Sequence, residues 1–141
     1  MSRVLVLLQF LLIGLIAFPS WDSARWWPGI FITLCGVALG FWSLFHNRPG
    51  RFNIRPEVHP KAILVTSGPY HFIRHPMYSA VFLFCLGLSL VHQTLLCLVS
   101  LVLIVPVLWL KTLREERYMM IRFPEYALFM SSTRRFIPFF I

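Results

Sequence analysis

Residues 77–110 read MYSAVFLFCLGLSLVHQTLLCLVSLVLIVPVLWL. Two apolar runs, Met77–Val91 and Thr94–Leu110, are parted here by little more than His92 and Gln93, so the stretch predicts a tight helical hairpin. Each run falls slightly short of the roughly 20 residues that carry a helix across a bilayer. Two more runs lie upstream, Val4–Phe18 and Ile30–Phe45, the second entering its span near residue 28. Trp21, Trp26 and Trp27 flank this first pair as interfacial anchors.

The composition agrees. Hydrophobic residues make up 58% of the 141, charged residues 13%, and mean hydropathy is +0.75. A soluble domain of this size leaves too much area exposed to hide so much apolar surface. The expected fold is therefore all-α: one polytopic membrane domain over residues 1–141, with four transmembrane helices at about 4–18, 28–45, 77–91 and 94–110. The first run reads as a retained helix rather than a leader, because its flank is weakly basic, no A-x-A site precedes Pro19-Ser20-Trp21, and three runs follow. Pro106 sits inside the fourth run, where it removes a backbone hydrogen bond and predicts a kink.

The net charge of +8 is unevenly spread. Arg48, Arg51, Arg55, Lys61 and Arg74 fall in one segment; Lys111, Arg114, Arg117, Arg122, Arg134 and Arg135 fall in another. With four spans, both segments and Arg3 share one face, and only Arg25, beside Asp22, lies opposite. The positive-inside rule then puts both termini in the cytoplasm of a multi-pass integral membrane protein. Charge that flanks apolar runs argues for anionic membrane lipids as partners and against nucleic acid. Cys35, Cys85 and Cys97 sit within apolar runs, without a CxxC pair or a histidine at ligand spacing, and read as buried reduced thiols rather than metal ligands.

The two basic segments also hold the reactive side chains. Residues 47–76 contain Pro49, Pro56, Pro60, Pro69 and Pro76, which forbid a long helix. Residues 111–141 begin as a continuation of the fourth helix, with Lys111, Glu115, Tyr118 and Arg122 on one polar stripe, until Phe123-Pro124-Glu125-Tyr126 breaks it. Between Thr66 and Tyr78 a Gly68-Pro69 turn precedes Tyr70, His71, Arg74, His75 and Tyr78, right where the third span opens. Polar groups at that depth must face a cavity or another helix. Singly they have plainer readings: Arg74 as a snorkelling cation, the tyrosines as belt aromatics, His75 as a helix cap, Lys111 as the i, i+4 partner of Glu115. A belt does not need this order. Only five residues of the chain are acidic, and Glu115 and Glu116 are adjacent directly below a span.

Leu64-Val65-Thr66-Ser67-Gly68-Pro69-Tyr70, Arg74-His75-Pro76-Met77-Tyr78, Glu115-Glu116, Phe123 to Tyr126, and Arg135-Phe136-Ile137-Pro138 together resemble the isoprenylcysteine carboxyl methyltransferase family. That integral-membrane group includes the phospholipid N-methyltransferases. The resemblance covers roughly residues 47–141 and implies S-adenosyl-L-methionine as cofactor, bound on the cytoplasmic side by segments 47–76 and 111–141. It implies that Leu64, Val65, Tyr70, His75, Pro76, Met77, Tyr78 and Glu115 bind the cofactor, Glu115 through the cofactor's ammonium group. It further implies catalytic roles for His75 and Tyr78, and substrate contacts from Lys111 and Arg74. Lys111 stands where the isoprenylcysteine enzymes have an arginine, and Ala62 where eukaryotic members have a histidine; the extra N-terminal spans of larger members are absent. A lysine lacks the planar fork for a bidentate carboxylate contact, so the acceptor stays open among carboxylate, thiol and amine.

A sulfonium zwitterion needs a carboxylate, aromatic faces and hydrogen-bond donors, which Glu115, Tyr70, Tyr78 and His75 provide. An amine acceptor would also need a base, with His75 and His71 as candidates. The expected function is thus methyl transfer to a lipophilic or small acceptor at the cytoplasmic membrane face. Two alternatives stand beside it: an NADPH-dependent membrane reductase, which usually carries more spans, and a non-catalytic protein that binds anionic lipid. The oligomeric state is open, since Gly36-x-x-x-Gly40 suits contacts within a chain or between chains.

Overall fold

Leu, Val, Ile and Phe runs can satisfy their backbone polar groups without water only by coiling into helix. A computed structural model describes residues 2–18, 27–47 and 63–137, and these are all-helical, with five α-helices and no strand among the described residues. Helix α1 runs Ser2–Ala17, α2 Trp27–His46, α3 Pro76–His92, α4 Leu95–Arg122 and α5 Tyr126–Ser132; a 3-10 turn, Gly68–His71, precedes α3. Several sequence features fall outside the described residues. They are Trp21, Trp26, Asp22, Arg25 and the Pro19–Trp21 turn, then Pro49, Pro56, Pro60, Arg48, Arg51, Arg55, Lys61 and Ala62, and finally Pro138.

The four apolar runs each became a helix. By length and composition, however, two of them are able to cross a membrane, α2 and α4, rather than four. Helices α1 and α3, with 16 and 17 residues, are apolar but short. Helix α4 passes through Pro106 and continues 12 residues beyond the apolar run, to Arg122. The short helix α5 was not anticipated.

The hairpin between α3 and α4 turns on Gln93, which takes a left-handed conformation (φ 51°), and on Thr94, whose hydroxyl accepts from Cys97 N at 3.2 Å and caps α4. Helix α3 is central and packs on α1, α2 and α4. Its contact with α2 is backbone on backbone. A Cβ at Gly36 would sit 2.6 Å from Phe84 N, and one at Gly29 would sit 2.7 Å from the Gly87 carbonyl. Gly36 and Gly40 therefore face α3 of the same chain, whereas Gly14 has no neighbour in reach.

Leu5, Leu12 and Ile16 of α1 meet Cys85 of α3 and Ile104, Val107 and Leu108 of α4 in one buried cluster. Large apolar side chains such as Leu7, Phe31, Phe45, Leu95 and Val102 cover the outside. Buried among the helices instead are Gln9, Ser43, Ser79, Ser89, Ser100, Lys111, Thr112 and Glu116. Large apolar side chains outside, with polar ones kept among the helices beside that cluster, is the distribution that lipid favours. Cys85 and Cys97 are buried free thiols; Cys35 corrects the expectation, because it lies exposed on the outer surface of α2.

Candidate active site

Pro76 and the positive φ of Gly68 (61°) set the approach to α3. Pro76 takes the first helical turn, where its missing N–H costs nothing, and Gly68 permits the turn that swings the chain under α2. A side chain at Gly68 would collide with the His46 ring. The turn is fastened to the end of α2 by two contacts: His46 Nδ1 lies 3.1 Å from Ser67 Oγ, and Asn47 Nδ2 donates to the Tyr70 hydroxyl at 3.3 Å. Burial pushes the Tyr70 phenol up to about 12, with Glu115 adding to the rise and Asn47 opposing it. Leu64 and Val65 lie half-buried in the segment that leads into this turn.

Beyond the turn, the chain pairs with its own tail. Ile73 forms a parallel bridge with Arg134, Arg74 N donates to the Arg134 carbonyl at 2.7 Å, and His75 N donates to the Arg135 carbonyl at 3.0 Å. Ser79 Oγ adds a bond to the Phe136 carbonyl at 2.8 Å. Residues 133–137 are thus laced across the start of α3, opposite the charged end of α4.

Two carboxylates organise what lies between. Glu116 is the deeper, its side chain 4% exposed. It accepts from Arg74 Nε at 2.9 Å and from Arg135 Nε and Nη2 at 3.1 and 2.8 Å. Arg74 also donates to the backbone carbonyls of Met130, at 3.0 Å, and Thr133. The snorkelling alternative for Arg74 is therefore corrected: its guanidinium points inward. Arg135 lies over the Trp109 ring at 4.9 Å, and its bond to Glu116 holds its pKa above the ordinary value.

Glu115 is shallower, its side chain 25% exposed. Tyr78 Oη donates to one carboxylate oxygen at 3.0 Å, and His75 Nδ1 lies 3.2 Å from the other. The rings of Tyr78 and His75 stack with centroids 5.6 Å apart. His75 Nε2 is 3.4 Å from Glu116 Oε1, poorly aligned for a hydrogen bond, and has no other partner. Burial pushes this imidazole pKa down, but the bonds and charges of both carboxylates outweigh it and the net shift is upward. His75 starts α3 without capping it through its side chain.

Among the residues singled out from sequence, Tyr78, His75 and Glu115 are in direct contact. Arg74 touches Glu116 instead, and Pro76 and Met77 form the first turn between them. Lys111 is 1% exposed and does not pair with Glu115; its ammonium donates to Gln9 Oε1 of α1 at 2.5 Å and lies 5.0 Å from the centre of the Tyr78 ring. The expected polar stripe therefore splits, with Lys111 buried, Glu115 intermediate, and Tyr118 and Arg122 exposed. His71 is exposed, its ring edge-on to Phe72 and apart from the carboxylates.

Compared with known proteins, residues 24–125 match the phospholipid methyltransferase family. The chain belongs to that family. Membership covers α2, the turn, α3 and α4, and so includes His75, Tyr78, Glu115 and Glu116. Gln9 and Arg135 stand outside the matched region yet contact its residues. The chain is also similar to the cobalt-zinc-cadmium resistance protein CzcN of Cupriavidus metallidurans, at 30% identity over 94% of its own length. It spans 61% of that relative. No solved structure matches.

Gln9 and the pivotal role of Glu116 were missed from sequence. Gln9 did carry a signal, as the one strongly polar residue in the run Val4–Phe18. In the sequence, Glu116 stands out only as the neighbour of Glu115.

Proposed function

We propose that this family member transfers a methyl group from S-adenosyl-L-methionine to a lipophilic or small acceptor at the cytoplasmic face of the membrane, as a four-span protein with both termini in the cytoplasm. The observation that carries the proposal is the unequal use of the two carboxylates. Glu116 is consumed by two guanidinium groups, while Glu115 is oriented by one hydroxyl and one imidazole and remains partly open.

A carboxylate oxygen accepts more than one hydrogen bond. Glu115 thus keeps capacity for an ammonium group even with Tyr78 and His75 bound. Those two fix its rotamer, so the incoming charge meets an anion that has already lost its freedom. Tyr70 offers an aromatic face suited to a cation, Tyr78 acts through its hydroxyl on Glu115, and Leu64, Val65, Pro76 and Met77 supply the apolar lining. When bound, S-adenosyl-L-methionine supplies a methyl carbon activated by its sulfonium. The chain's contribution is to aim that carbon at an acceptor reached from lipid and to keep water out.

His75 fits positioning better than proton removal, because it sits between two carboxylates that favour its charged form, and a charged imidazole has no lone pair to offer. A carboxylate or thiolate acceptor needs no base in any case. Short helices α1 and α3 fit a spanning bundle because each packs beside a longer one, α1 on α4 and α3 on α2. Incubation of the nanodisc-embedded protein with methyl-labelled cofactor and a panel of prenylated thiol, phospholipid amine and carboxylic acid acceptors tests the activity. Label recovered in one acceptor class supports it; none in any class, with folded protein, defeats it.

A further inference from the structure

A helical face of α1 formed by Leu5, Gln9, Leu12 and Ile16, at spacings i, i+4, i+7 and i+11, is buried in the bundle. A leucine at position 9 would complete this apolar stripe. Gln9 instead reaches Lys111, and the two partners explain each other, since a buried amide and a buried ammonium both need polar company. What they leave unexplained is the charge. Lys111 takes part in no ion pair among the described residues; Glu115, one turn further along α4, bonds Tyr78 and His75 and acts on the ammonium through its charge alone. A glutamate at position 9 would neutralise the ammonium; the glutamine holds it without adding a counter-charge, while burial pushes the Lys111 pKa down and the Glu115 carboxylate opposes that shift.

Resting on the methyl-transfer reading, we propose that Gln9 is a positioning residue that determines acceptor specificity: its neutral amide fixes the Lys111 ammonium beside Tyr78, so that the site selects an acceptor carrying an anionic group. The ammonium lies against the ring whose hydroxyl holds Glu115, so its field falls on the reacting region. Burial strengthens that field because little water intervenes, and it acts without direct contact. Helix α1, which lies outside the region matched to the family, thereby becomes part of the acceptor side of the site.

The test uses full-length protein in zwitterionic nanodiscs, with empty discs subtracted. It is first titrated with S-adenosylhomocysteine, then, when saturated, with decanoate and separately with decyltrimethylammonium. Wild type should bind decanoate in preference to the cation. Gln9→Glu keeps an oxygen acceptor for Lys111, so its melting temperature and nucleoside binding should stay near wild type while decanoate weakens at least ~10-fold. Lys111→Gln, which is able to bond Gln9 without charge, should lose decanoate similarly and decides the matter should Gln9→Glu not fold. Decanoate bound equally by wild type and variant, or no preference for the anion in wild type, overturns the role of Gln9. Absence of S-adenosylhomocysteine binding in the first titration instead removes the methyl-transfer reading and this inference with it.

Discussion

Arg74 Nε meets Glu116 Oε1 at 2.9 Å across 42 positions of sequence, with both side chains nearly sealed from solvent. The contact fastens the start of α3 to the charged half of α4, and Arg135 closes the same carboxylate from the tail. A buried pair of this kind is no guarantee of net stability, but removal of one member strands the other. Glu116→Ala should therefore destabilise the protein by ~3–5 kcal/mol. Thermal unfolding in nanodiscs measures this, and a melting temperature equal to wild type would deny Glu116 its place as pivot.

Glu115→Ala should behave in the opposite way. Its carboxylate is partly open and is held by one hydroxyl and one imidazole rather than by guanidinium groups, so its loss should lower the melting temperature less than Glu116→Ala does while weakening S-adenosyl-L-methionine binding more than tenfold, as expected for the loss of ~2 kcal/mol of charge-assisted hydrogen bonding. Calorimetric titration of the variant beside wild type distinguishes the two carboxylates. Unchanged affinity would take Glu115 out of the site.

His75 gives the fold a pH dependence. Its folded pKa lies above the ordinary 6.5, so the stability it contributes is complete below 6.5 and is lost as pH rises through the higher folded value. Warming scans between about pH 6 and about pH 9 should show a falling melting temperature in wild type. The same scans on His75→Gln should be flatter in that window. Parallel curves would mean that folding does not raise the pKa of this imidazole.

The glycine seam between α2 and α3 makes a graded prediction. Gly36→Ala would place a methyl 2.6 Å from Phe84 N and should cost ~1–3 kcal/mol through overpacking. At Gly40 the nearest atom, Ala80 Cβ, is 3.7 Å away, so Gly40→Ala should be tolerated. Gly14 has open space, and Gly14→Ala should be neutral or stabilising by up to ~1 kcal/mol through helix propensity. Equal effects at all three positions would contradict the packing.

Much of this was legible in the residue order. Apolar runs name their own helices, and His92-Gln93 marks the hairpin because so little polar chain separates two long runs. His75, Tyr78 and Glu115 were singled out together, and they touch. Partner choice was harder to read. Lys111 and Glu115 are spaced as a helical ion pair, but the bundle buries Lys111 against α1, where Gln9 is the nearer acceptor. Likewise, adjacent glutamates point in different directions from one helix, and only the tertiary position of Arg74 and Arg135 separates the anchored one from the open one. Span count also depended on more than composition, since α1 and α3 end before the length that a lone helix needs.

The most direct test of the account is a calorimetric titration of folded wild-type protein in nanodiscs with S-adenosyl-L-methionine. Saturable binding of one molecule per chain, lost in Glu115→Ala and competed by S-adenosylhomocysteine, is the predicted result. A folded protein that takes up no cofactor at millimolar concentration would contradict it.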